Sequence, residues 1–485
     1  MPSLRPALLV PWLAAAALLG GCSLAPAATE DDDDTFVHRA YTAWQPLPSK
    51  DGSRLAFALE PRRVDADSHG VMVTGWRGRV AGDGVVVVPS DGPPSVLTTV
   101  PRGFLDADGA ESDLFVWTKA ASEWTPVAPN DMPPPTPYAS VTWLDRATFA
   151  VKGTRAFSPP LEMPIAVGGS WVLDTPRLGQ SDFERDVHLA LHDVATGAVQ
   201  VLHDDRGFAV STCSRGSAVT VAYQRGKDRT TILDVMVTGG VARVARLDLD
   251  DLLVDALACR AGGEHVAAVG GRPSDREGRA LVLARSADAL AVAFESSVGA
   301  PVALSRDGST LLATGPDRGM MLVTKRGARP LPGVTTMTTK LLVSGDRAFV
   351  DGGSSGFVVR LDGQEPSASK VPFAEARGEH VVSATGGGGF LAFETRYDGA
   401  RGTDAITRAF VLDPGGGARD VPLGEAHERP SVAYADADRA WVVATRVGGA
   451  VELLDVDLGG ARVRRTTTFP LCDRDAMRTK DRCLP

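Results

Sequence analysis

The sequence predicts an all-β fold built from repeated four-stranded sheets. Three observations carry that reading. Short β-branched apolar runs bounded by Gly, Asp, Ser and Pro fill most of the chain. No window longer than about twelve residues keeps a helical period with caps at both ends. The turn signals recur at intervals of roughly 40 to 45 residues, the length of one four-stranded unit. The composition agrees, since 52 glycines and 33 prolines in 485 residues supply many turns, and they follow no fibrous period.

The first recurring element is an inner turn. Ser49-Lys50-Asp51-Gly52 near the start matches Ser305-Arg306-Asp307-Gly308 downstream, and an apolar run follows each. Cys213-Ser214-Arg215-Gly216 and Cys259-Arg260-Ala261-Gly262 are degenerate copies in successive units. The second element is an apolar strand that closes in Asp before a Gly-bearing turn. It occurs at Asp193 with Gly197, Asp234 with Gly239, Asp362 with Gly363, Asp413 with Gly415 and Asp455 with Gly459. Asp can bond the backbone just downstream and Gly accepts positive φ, so both suit tight turns. Each unit therefore reads strand, turn, strand, loop, strand, turn, strand.

Six such units can be numbered between about 205 and 470. The chain before them is less regular, with strands at Val71 to Trp76, Val85 to Val88, Leu114 to Trp117 and Phe149 to Val151, and a Pro-rich stretch at Met132 to Pro137. Insertions near 119–140 and 154–186 interrupt the period, so the expected architecture is a β-propeller of seven or eight four-stranded blades. A small N-terminal β domain followed by a six-bladed propeller is the alternative. On the S-x-D-G turn and the repeat length, residues 41–470 resemble the propeller superfamily of bacterial WD-repeat-like and TolB-like proteins. No Trp-Asp pair closes a unit, so the strict WD-repeat family is not implied.

The N-terminus reads as an address. An apolar stretch from Ala7 to Leu19 follows Arg5 and contains Pro11, which makes it too short to span a bilayer and suits an export signal. It runs into Leu19-Gly20-Gly21-Cys22, which resembles the bacterial lipobox; the resemblance implies cleavage before Cys22 and lipidation of its thiol. Several acyl chains, at about 0.8 kcal/mol per buried methylene, would hold the protein to a membrane. The expected division is a lipoprotein signal over 1–21, an acidic tether over 22–40 that includes Glu30 to Asp34, the propeller over 41–470 and a C-terminal tail over 471–485. Ser23 after the lipidated cysteine resembles outer-membrane sorting in a Gram-negative host. No other stretch reaches eighteen apolar residues, so the lipid is the expected membrane contact. A formal charge of −9 and a pI near 5.5 argue against nucleic acid, whose binding rests on phosphate neutralisation.

Four cysteines remain: Cys213, Cys259, Cys472 and Cys483. An even number in an exported chain suggests disulfides. Cys213 and Cys259 hold the same place in successive units and are expected to pair. Cys472 and Cys483 would then close a short C-terminal loop, a link worth on the order of 3 kcal/mol. Neither pair has the spacing of a zinc knuckle.

Catalytic and metal-ligating patterns are scarce, and no catalytic residue, metal or cofactor is assigned. Gly352-Gly353-Ser354-Ser355-Gly356 matches a hydrolase string but joins two apolar strands, where a nucleophile elbow needs a helix. His188 and His192 on one strand would lie about 13 Å apart, too far to share a metal. Asp65-Ala66-Asp67-Ser68-His69-Gly70 and Asp106-Ala107-Asp108-Gly109 imitate calcium loops, and solvated turns are the expected state. The candidate site is the 154–186 insertion, with Trp171, Asp182, Glu184, Arg185 and Asp186 as its functional residues. The expected function is a lipid-anchored cell-envelope scaffold that binds or assembles a protein partner without catalysis. The alternatives are an exported propeller enzyme acting on glycan or peptide, with the acidic residues of 182–186 as acid and base, and a purely structural lipoprotein.

Overall fold

The structure, a computed structural model, describes residues 36–48, 54–65, 85–89, 95–97, 105–109, 113–119, 137–175, most of 186–469, and 472–473. Among these residues there are strands and no helix. The strands fall into consecutive antiparallel groups of four, which we number as units: unit 1 over 36–97, unit 2 over 105–161, unit 3 over 163–206, unit 4 over 208–250, unit 5 over 253–296, unit 6 over 299–335, unit 7 over 342–370, unit 8 over 379–420 and unit 9 over 427–469. Units 4 and 5 are joined into one sheet by a single bridge, Arg246 to Ala289, and units 8 and 9 by Ala405 to Glu428.

Among the described residues nine such groups can be numbered, where seven or eight blades were expected. The difference arises in the 154–186 segment, read from sequence as an excursion. Val151–Leu161 is instead the outer strand of unit 2, and Met163–Gly168 and Trp171–Thr175 are the first two strands of unit 3. Asp106 and Asp108 also lie within a strand, Leu105–Gly109, opposite Trp117 and Phe115, which corrects the loop expected there. The first strand begins at Phe36, inside the segment assigned to the tether, and its Arg39 pairs with Cys472 near the C-terminus.

The period-two alternation of the strands explains the packing, because each sheet presents an apolar row on both faces. In unit 4, Val219, Val221 and Tyr223 pack with Val167, Leu189 and Leu191 of unit 3. Ala222 and Ile232, on the opposite face, pack with Ala268, Leu281 and Leu283 of unit 5. The same face-to-face cores lie between units 2 and 3, 5 and 6, 6 and 7, 7 and 8, and 8 and 9. The first strand of unit 1 lies against unit 9. The arrangement is propeller-like, with sheets stacked in sequence and their first strands innermost.

The outer turns show how sequence sets local geometry. Asp145 and Asp193 each close a third strand. Their carboxylates accept the N–H groups of Ala147 and Thr148, and of Ala195, while Thr196 donates its hydroxyl to Asp193 at 2.6 Å. Four residues after each Asp the chain turns left-handed, at Phe149 (φ 57°) and Gly197 (φ 84°). Asp457 makes the same turn and puts Ala461 at φ 46°. A Cβ is strained there, so Ala461→Gly is expected to stabilise the protein by about 1 kcal/mol, read as a raised denaturation midpoint at unchanged slope.

Candidate functional site

Of the sequence-derived site the structure describes Trp171 and Asp186, and it sets these two apart. Trp171 opens the second strand of unit 3, opposite Asp193, and its indole N–H donates to the Gly240 carbonyl of unit 4 at 3.1 Å. Asp186 begins the third strand, seven residues from Asp193, so about 23 Å of strand separates it from Trp171. Asp182, Glu184 and Arg185 lie outside the described residues, as do Cys22, Cys483 and the 65–70 motif beyond Asp65. His188 and His192 do share the strand Asp186–Asp193. Gly352 and Gly356 flank a hairpin closed by the Gly352 N–H to Ser355 carbonyl bond, with strands on both sides.

The best-organised polar region is the set of turns that follow the innermost strands. At Ser305 to Gly308 the Asp307 carboxylate accepts the Ser305 hydroxyl at 2.7 Å and the Ser309 N–H at 3.0 Å. These donors hold its pKa below the usual carboxylate range. Gly308 (φ 67°) sits so close to His265 of unit 5 that a Cβ would meet the imidazole. Successive turns also bond one another. Arg215 of unit 4 donates to the Gly263 carbonyl of unit 5 at 3.1 Å, Arg260 reaches past unit 6 to Asp346 of unit 7 at 3.7 Å, and Ser344 accepts from the Gly388 N–H of unit 8 at 3.1 Å. These contacts link the inner turns of units 4 to 8 to one another.

Beneath those turns the seam between units 4 and 5 is tied three ways. Cys213 and Cys259 are disulfide-bonded, with Cα atoms 6.0 Å apart, as their matching positions suggested. The Leu257 N–H donates to Ser211 at 2.9 Å, and the Val254 N–H to Thr230 at 3.1 Å. Asp234, with no solvent exposure, receives the guanidinium groups of Arg215 from its own unit and Arg285 from unit 5, the latter at 2.6 Å, and the Thr220 hydroxyl at 2.5 Å. Asp234 is thus an internal ion-pair centre and not the turn residue expected from sequence. Asp455 departs in the same way: it lies within the third strand of unit 9 and is clasped in a bidentate pair by Arg439 at 2.8 Å.

Other ionisable groups are buried within units or between them. His427 and Glu452 form a buried 2.7 Å pair in unit 9. His380 stacks flat on Phe373 at 3.8 Å, and burial lowers its pKa despite Asp351 and Glu394 nearby. Asp174 of unit 3 accepts the N–H groups of Glu162 and Met163 through one oxygen, at 3.0 Å each, and fixes the link from unit 2. Burial raises its pKa to about 6. Its proton is therefore held more tightly in the folded than in the unfolded chain, and stability is lost as pH rises from about 4 to about 6. Asp174→Asn keeps an oxygen for both bonds without the charge. It is expected to gain on the order of 2 kcal/mol at pH 7 and nothing at pH 3, measured by denaturation at the two pH values. Among the described residues no group of three or more His, Cys, Asp or Glu is placed to hold a metal ion.

Fold and turn face together define an all-β protein of propeller-like architecture. No family model matches the chain, and no curated protein does. Solved structures similar to it include a prolyl endopeptidase (13 % identity, TM-score 0.40, covering 91 % of this chain and 50 % of that one). Others are the Dos1 propeller (11 %, TM-score 0.38, 79 % and 94 %) and BamB from Moraxella catarrhalis (14 %, TM-score 0.38, 72 % and 93 %). The chain spans half the length of the prolyl endopeptidase. These likenesses assign no activity to it.

Proposed function

We propose that the protein is an exported, lipid-anchored β-propeller of the cell envelope, attached through Cys22, whose nine units close into a ring that serves as a non-catalytic scaffold for binding or assembling a protein partner. The observation that carries this reading is the Cys213–Cys259 bond between neighbouring units, which belongs to an oxidising compartment and agrees with the export signal ahead of it. The Leu19-Gly20-Gly21-Cys22 sequence supports the anchor and Ser23 an outer-membrane destination. Ring closure is supported by the contact of the first strand with unit 9 and by the Arg39–Cys472 pairing. The turn face supports a scaffold, since its carboxylates and guanidinium groups are engaged in holding the fold.

Labelling of growing cells with radioactive palmitate tests the anchor. Label in the wild type and none in Cys22→Ala, with release of that variant from membranes, is expected; equal labelling or equal membrane retention contradicts it. A pull-down from solubilised envelope tests the role: a stoichiometric protein partner supports the scaffold, and retention of glycan without one supports an enzyme.

A further inference from the structure

The seams between units are not tied alike. Units 4 and 5 share a disulfide and a strand bridge, and units 8 and 9 share the Ala405–Glu428 bridge, whereas units 7 and 8 are separate sheets that meet through side chains. At the inner turns Ser344 of unit 7 donates its hydroxyl to the Thr385 carbonyl and accepts the Gly388 N–H at 3.1 Å. At the other end of the innermost strand of unit 8, Glu379–Ala384, the tie is aromatic. Phe373, in the link from unit 7, lies flat on the His380 imidazole at 3.8 Å and meets Phe349 and Phe410 edge-on at 6.2 and 5.8 Å.

His380 is at odds with this setting. Both of its ring nitrogens are buried and neither has a hydrogen-bond partner, although buried polar groups are ordinarily paired. Carboxylates stand near. Glu394 lies directly opposite His380 on the second strand of unit 8, and Asp351 ends the second strand of unit 7. Cross-strand partners have their Cβ atoms about 5 Å apart, so rotation of the imidazole brings it to Glu394. The cation at this end is Arg408, on the third strand of unit 8, which donates to Glu394 at 3.4 Å, to Asp420 at 2.7 Å and to the Pro372 carbonyl at 3.0 Å. The carboxylate within reach of a charged imidazole thus also holds the arginine that anchors the link.

We propose that His380 is an acid-operated latch between units 7 and 8. When the imidazole takes up a proton it leaves Phe373 for Glu394, Arg408 loosens its hold on Pro372, and the seam opens at this end while Ser344 keeps the inner turns together. Burial sets the direction. An imidazolium is costlier than an imidazole in an apolar seam, and this outweighs the pull of Asp351 and Glu394, so the closed seam binds the proton more weakly than water does. The latch is therefore fully closed above about pH 6.5 and gives way as pH falls from there through the lowered pKa. It goes beyond the scaffold reading and does not rest on it.

Thiol labelling of the full chain in detergent tests the latch. Ala392→Cys places a thiol in the core between units 7 and 8, and Ala268→Cys places one in the core between units 5 and 4 as a control. Each is labelled with an aromatic disulfide at about pH 8 and about pH 5, and each rate is divided by that of the same thiol in the unfolded chain at the same pH. The Ala392→Cys thiol is expected to react about fivefold or more faster at the acid end, and the control to keep its rate. Adding His380→Phe, which keeps a ring on Phe373 and takes up no proton, should abolish the acceleration. His380→Gln, equally unable to charge, should do the same and serves if the first variant does not fold. The proposal is overturned by an Ala392→Cys rate that does not change with pH, by acceleration that survives both His380 variants, or by equal acceleration at Ala268→Cys, which would mean a general loosening of the fold.

Discussion

Asp234→Ala is expected to destabilise the protein by about 3 to 5 kcal/mol, a large part of the stability of an ordinary domain. The wild-type carboxylate is fully buried between Arg215 and Arg285, whose side chains are 4 % and 7 % exposed. Truncation removes the shared anion and leaves two guanidinium groups in a medium that cannot solvate them. Asp234→Asn keeps an acceptor for Thr220 and should fall between wild type and alanine. Equilibrium unfolding in urea measures all three. A loss under about 1 kcal/mol for alanine would show that the arginines find other acceptors and that the cluster does not hold the seam.

Removing the disulfide is the second large effect. The bond joins positions 46 residues apart. A loop of that size costs the unfolded chain about 4 kcal/mol of closure entropy, and measured values for native bridges run about 2 to 4. Cys213→Ser with Cys259→Ser, or reduction of the wild type, should lower stability by that amount while the propeller-like fold persists, since Asp234 and the Ser211 and Thr230 bonds still tie units 4 and 5. Urea midpoints with and without reductant give the value. Reductant should leave the double variant unchanged.

Much of this architecture was legible because its turns use residues with few alternatives. Ser305 to Gly308 bonds itself as its residue types require, and Asp193 with Thr196 and Gly197 does the same. The matching phase of Cys213 and Cys259 located their bond. Misreadings arose where one residue type serves two ends. Asp234 and Asp455 end apolar runs as Asp193 does, yet they sit within strands facing arginines distant in sequence. The usable difference was the Asp-x-x-Thr spacing, present at Asp145 and Asp193 and missing at both of these. The 154–186 segment holds strands that its length and its prolines hide. Within it Ile165-Ala166-Val167, then Gly168-Gly169-Ser170, then Trp171-Val172-Leu173 already spells a hairpin. The candidate site was least legible: Trp171 and Asp186 are near in sequence, but an antiparallel sheet carries them to opposite ends.

Consecutive sheets lie side by side, so that equivalent residues of units 4 and 5 are neighbours. Peptide mapping of the purified protein by mass spectrometry, with free thiols alkylated and without reduction, tests this most directly. Recovery of a Cys213–Cys259 linked peptide is the predicted result. Recovery of either cysteine alkylated, or linked to Cys472 or Cys483, would contradict the arrangement of the units.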